Sequence, residues 1–119
     1  MKKTLIIGAT NNPERYAYKA AMRLVEKGHQ IINIGIKSGE VADQPIQTPN
    51  EIFKDIDTIT LYLGPQHQKE YYDYILQTKP KRIIFNPGTE NPELEAMASA
   101  KGIQTTEACT LVLLATGQY

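Results

Sequence analysis

Residues 4–15 read TLIIGATNNPER. A short apolar run stops at Gly8, turns polar, and reaches Pro13, which suits a first helical turn because it has no N–H to leave unpaired. Strand, glycine turn and helix form the layout that presents backbone N–H groups and a helix N-terminus to a phosphate. A dinucleotide turn of this kind carries three glycines, and here Gly8 stands alone. What such a start can hold without the other two decides how the rest of the chain is read.

Thr4 to Gly8 is the first strand. Asn12 is placed to cap the following helix. In that helix Ala17, Ala20, Ala21, Leu24 and Val25 fall on one face and Gly28 ends it. Gln30 to Gly35 is the second strand, followed by a loop holding Lys37, Gly39 and Pro45. TPNEIFKDI, residues 48–56, reads as a short helix, Asp57 to Leu63 as the third strand, and residues 66–78 as a helix after the Gly64-Pro65 break. Arg82 to Phe85 is the fourth strand. Asn91-Pro92 then caps and opens a helix with Leu94, Met97 and Ala98 facing inward. Ile103 to Thr106 is the fifth strand, and Thr110 to Ala115 a last helix.

Strand and helix alternate throughout, which predicts a Rossmann-like three-layer α/β/α domain over residues 1–119. Its sheet should be parallel and five-stranded, in the order 3-2-1-4-5, with right-handed crossovers. Ligands of such sheets bind beyond the carboxyl ends of the strands. That rule selects the loops Ala9–Arg15, Ile36–Gly39, Gly64–His67, Asn86–Asn91 and Glu107–Thr110.

The bulk composition narrows the partners. Thirteen basic residues balance thirteen acidic ones, so no net field draws nucleic acid or an anionic membrane, and an anion must be held by local groups. The apolar run near the start is shorter than a signal core and far shorter than a membrane span, so the expected location is cytoplasmic. One cysteine gives no disulfide framework. His67 has no His, Cys or carboxylate at ligand spacing, and no Ser-His-Asp set, carboxylate pair or Walker loop is present. The expectation is therefore no metal and no catalytic residues.

An NAD site places an acid after the second strand to grip the ribose hydroxyls. The first charged side chain here is Lys37. A cation suits a phosphorylated ribose, such as the 2′-phosphate of NADP or the 3′-phosphate of CoA.

GATNNPER after strand one, a lysine after strand two, Gly-Pro after strand three, a Gly-x-x-Asn loop after strand four and a cysteine after strand five resemble the small stand-alone CoA-binding proteins. Those are Rossmann-like domains similar to the CoA-binding domain of the succinyl-CoA synthetase α subunit. The resemblance implies a small-molecule nucleotide ligand, CoA. Gly8, Ala9, Thr10, Asn12 and Arg15 would line the phosphate turn, and Lys37 would meet the phosphorylated ribose. Leu63, Gly64 and Pro65 would pack near the adenine or its ribose, and Pro87, Gly88 and Asn91 would border the pantetheine path. Cys109 would stand at the thiol end, where a mixed disulfide with CoA would make the protein a redox-responsive carrier or sensor. Residues 62–66 (YLGPQ) depart from the family in lacking its basic residue or second proline after strand three.

Two other readings stay open at this point. One is a minimal NADP-binding reductase, or a CoA-thioester-activating subunit that works with a partner chain. The other is a structural module whose role is homo-oligomer formation.

Overall fold

The computed structural model describes all 119 residues. In chain order it contains β1 (Lys3–Ile7), α1 (Tyr16–Glu26), β2 (Gln30–Ile34), β3 (Glu40–Val41), β4 (Gln44–Gln47) and β5 (Thr58–Leu61). Then come α2 (Pro65–Gln68), a 3-10 turn (Lys69–Tyr71), α3 (Tyr72–Thr78), β6 (Arg82–Phe85), α4 (Pro92–Ala100), β7 (Gln104–Glu107) and α5 (Thr110–Ala115). The strands form one sheet in the order β3-β4-β2-β1-β5-β6-β7. Every pairing is parallel except β3 with β4.

Strands buried on both faces read as continuous apolar runs, and β1 shows the consequence. Leu5 and Ile7 face the cluster built by α3, α4 and the 48–56 segment, with Phe53, Ile56, Tyr74, Ile75, Leu94 and Ala98. Ile6 faces the opposite cluster, where Ala17, Ala21 and Leu24 of α1 meet Val41, Ile46 and Leu114. The small alanines let α1 lie close to the sheet. Gly28 closes α1 at φ +88°, and the His29 N–H reaches back to the Leu24 carbonyl at 2.9 Å, an ending that favours glycine.

The sheet has seven strands rather than five, because the loop after β2 contains a hairpin. Ala42 and Asp43 take positive φ at its turn. The buried Asn33 holds it in place, its Nδ2 donating to the Val41 and Gln44 carbonyls at 3.3 and 3.2 Å. β4 occupies the outer side of β2, with Asn33 opposite Ile46. The strand at 58–61 therefore pairs with the other side of β1. With β4 counted as the third strand, the parallel strands run 3-2-1-4-5-6, and the five strands expected from the sequence take the order 2-1-3-4-5. The segment at 57–63 that the sequence put third is the fourth.

Two helices also differ from expectation. Residues 48–56 form turns with no helix, and Asp55 sits at φ +61°. They carry the chain back across the sheet while delivering Ile56, 2% exposed, to the core. α1 begins at Tyr16 instead of Pro13, with Arg15 as its N-cap. Asn12 caps its own turn, its Oδ1 accepting the Glu14 N–H at 3.0 Å, a local bond that competes with helix entry.

Candidate functional site

The carboxyl ends of β1, β2, β5 and β6 open into a cavity of about 660 Å³. Gly8, Ala9, Thr10, Arg15, Lys37, Leu63, Gly64, Pro87 and Gly88, all singled out from sequence, line it. It is the region that the strand-end rule selects.

The first turn is shaped by how its donors are spent. The Gly8 and Ala9 N–H groups both donate to the Ile34 carbonyl at 2.9 Å, so they tie β1 to β2 and are not free for a ligand. The N–H groups of Thr10, Asn11, Tyr16 and Ala17, which also line the cavity, have no acceptor in the chain. Arg15 makes no side-chain cap and the first turn of α1 holds no acid. The positive end of α1 is thus uncompensated, and an anion is the group that satisfies it.

Arg15 and Lys37 add two exposed cations. The molecule's single ion pair joins Arg23 to Glu26, so neither cation has a carboxylate partner. Glu14 is the one acidic residue in the lining.

Gly8 has φ +94°, and a Cβ there would stand 3.0 Å from the carbonyl carbon and oxygen of Tyr62. The missing side chain leaves room for the backbone just past the end of β5. Gly35 is equally constrained. A Cβ on it would meet the Ala9 carbonyl oxygen at 2.5 Å, so this second glycine is needed for β2 to pass under the turn. In the sequence Gly35 marks only the end of the second strand.

Four residues expected at the site do not line the cavity. Asn12 is exposed in the turn described above. Pro65 is the first residue of α2, behind Gly64. Cys109 is half-buried as the N-cap residue of α5. Asn91 is buried, capping α4 through the Leu94 N–H at 3.3 Å and donating to Gln68 Oε1 and Tyr72 Oη.

Ile36, 85% exposed at the mouth, and Thr89, in the wall, lie in loops that the strand-end rule selects, while Tyr16, 68% exposed at the mouth, and Tyr62 and Tyr71, in the walls, lie outside those loops. The Tyr62 hydroxyl is buried without a hydrogen-bond partner. Burial pushes its pKa up to about 12, against the nearby Thr60 and Thr110 hydroxyls. Tyr62 is therefore a neutral wall at physiological pH. No group of three or more His, Cys, Asp or Glu side chains could hold a metal ion, and no helix is long and apolar enough to cross a membrane.

No curated protein matches the chain. Among solved structures, an uncharacterized protein is 52% identical and superposes with a TM-score of 0.98, over 100% of this chain and 98% of that one. The cell-free protein ID.343 from Thermus thermophilus shares the fold at 18% identity and a TM-score of 0.87, over 99% of this chain and 90% of that one. A hypothetical protein from Pyrococcus horikoshii OT3 is 25% identical, with a TM-score of 0.82 over 93% of this chain and 80% of that one. The sequence profile described as a CoA binding domain matches residues 2–115. The stand-alone resemblance read from the loops thus meets a match over nearly the whole chain, and the protein belongs to the CoA binding domain family.

Proposed function

We propose that this protein binds CoA or an acyl-CoA at the carboxyl edge of its sheet and acts as a carrier or sensor without chemistry of its own. The observation that carries this is the pairing of the unsatisfied N-terminus of α1 with Arg15 and Lys37, two cations without ion-pair partners, around one cavity. Family membership supports CoA as the ligand. In this reading Ala9, Thr10 and Arg15 surround the pyrophosphate, and Lys37 meets the 3′-phosphate. Leu63 and Gly64 flank the adenine end, with Pro65 behind them. Pro87 and Gly88 border the pantetheine arm.

Thermal unfolding with CoA, NADP and NAD side by side tests it. A ligand at a hundredfold excess over Kd stabilises the folded state by about 2.7 kcal/mol. A shift with CoA alone supports the proposal. A shift with NADP alone supports the reductase reading, whose 2′-phosphate would also suit Lys37. No shift with any of the three favours the oligomerisation module.

A further inference from the structure

Gln68 ends α2 and is completely buried. Its Nε2 donates one hydrogen to the Leu63 carbonyl at 2.8 Å and the other to the Thr89 carbonyl at 2.7 Å. Its Oε1 accepts from Asn91 Nδ2 at 2.9 Å. The orientation of both amides follows from fixed backbone groups. The Leu94 N–H holds the Asn91 oxygen, which turns the Asn91 NH₂ toward Gln68, while two carbonyls demand the Gln68 NH₂ on the far side. The second Asn91 hydrogen goes to Tyr72 Oη at 2.8 Å, and that hydroxyl donates to Glu93 Oε1 at 2.9 Å.

Leu63 lies in the loop after β5, Thr89 in the loop after β6, and both line the cavity. The β5–β6 ladder stops at the Leu61–Phe85 pair, and Asn86 closes its end through the Leu61 carbonyl at 2.8 Å. Farther out, Gln68 is the one side chain hydrogen-bonded to both loops. Without its amide, the buried Thr89 carbonyl and the partly buried Leu63 carbonyl would be left as acceptors without this donor, a desolvation penalty that moving the loops apart relieves.

We propose that Gln68, oriented by Asn91, is a positioning residue that sets the spacing of these two loops and so the width of the ligand cavity between them. The proposal rests on the CoA reading above for the identity of the ligand. It gives Asn91, expected from sequence to border the ligand, a role exerted through Gln68.

The test combines hydrogen exchange with CoA titration of Gln68→Leu, Asn91→Asp and the double variant. Aspartate keeps the acceptor that caps α4 but has no hydrogen to give Gln68, so Asn91→Asp carries the test alone if Gln68→Leu does not fold. Either change should speed exchange in residues 62–68 and 86–91 while β1 and β2 keep wild-type protection. Each should weaken CoA binding by about tenfold, equivalent to about 1.4 kcal/mol. The double variant should bind within about twofold of Gln68→Leu, because residues acting through one network are not additive. Exchange that rises evenly over the whole sheet would overturn the proposal. So would loosened loops with unchanged CoA affinity, or losses that multiply in the double variant. If the wild type binds no CoA, the parent reading fails by itself, and local exchange and its coupling between the two sites still judge the clamp.

Discussion

Gly8 and Tyr62 meet so closely that a single added carbon at position 8 would sit 3.0 Å from the Tyr62 carbonyl group. Gly8→Val should therefore destabilise the ligand-free protein by roughly 1–3 kcal/mol from overpacking, with left-handed strain in addition. Urea denaturation without ligand measures this. An apo protein as stable as wild type that has lost CoA affinity would instead mean that the glycine makes room for the ligand.

Arg15 caps α1 with the wrong charge for stability. Arg15→Ser should raise the melting temperature, since a serine N-cap is worth about 0.5–2 kcal/mol over a residue that makes no cap bond. The same change should weaken CoA binding, so stability and affinity move in opposite directions. Calorimetry and thermal unfolding on one preparation check both. Loss of stability together with affinity would assign Arg15 to the fold.

His29 lies edge to face with Tyr119, ring centroids 5.0 Å apart, and its Nδ1 accepts the Lys2 N–H at 3.0 Å. Desolvation, followed by nearby positive charge including that of Lys2, holds the imidazole below its ordinary value of 6.5. The unfolded chain then binds more protons than the folded one between the lowered value and 6.5. Stability from this site is complete above that window and is lost as pH falls through it. Glu95, whose carboxyl is raised by burial and by Glu107 beside it, works in the opposite sense. The useful comparison is thus wild type against His29→Gln, with denaturation midpoints followed from about pH 8 to about pH 5. The variant should lose less stability on acidification; parallel curves would remove His29 from the account.

Cys109 lies on the carboxyl edge but outside the cavity lining. Without ligand-directed delivery, its thiolate should attack CoA disulfide, releasing CoA thiol, no faster than it attacks cystine. Mass spectrometry of the native protein follows both adducts. A marked preference for CoA disulfide would place the pantetheine thiol beside Cys109 and favour a redox-responsive carrier.

The parallel core was legible because its strands are continuous apolar runs bounded by glycine and proline, as at Thr4–Gly8 and Arg82–Phe85. The hairpin at 40–47 was not. Its strands are polar, Pro45 lies within β4, where a missing N–H argues against a strand, and the anchor is a side chain, Asn33, inside the preceding strand. The same limit applies to the site. Residues on the first turn and after β2 follow from strand ends alone, and Arg15, Lys37 and Gly64 all reached the cavity wall. Asn91 and Gln68 are connected by long-range hydrogen bonds, which no local pattern in QHQKEYYDYILQT or NPGTEN announces. Asn12, a good capping residue by type, was drawn into a turn two residues long.

In the proposed complex, Lys37 meets the 3′-phosphate of CoA in the cavity at the end of β2. Calorimetric titration of wild type and Lys37→Ala with CoA and with dephospho-CoA tests it most directly. A charge-assisted contact is worth about 1.5–3 kcal/mol, so wild type should bind CoA roughly 10- to 150-fold more tightly than dephospho-CoA. Lys37→Ala should bind the two alike, at the wild-type affinity for dephospho-CoA. Equal affinity of the wild type for CoA and dephospho-CoA would contradict the account.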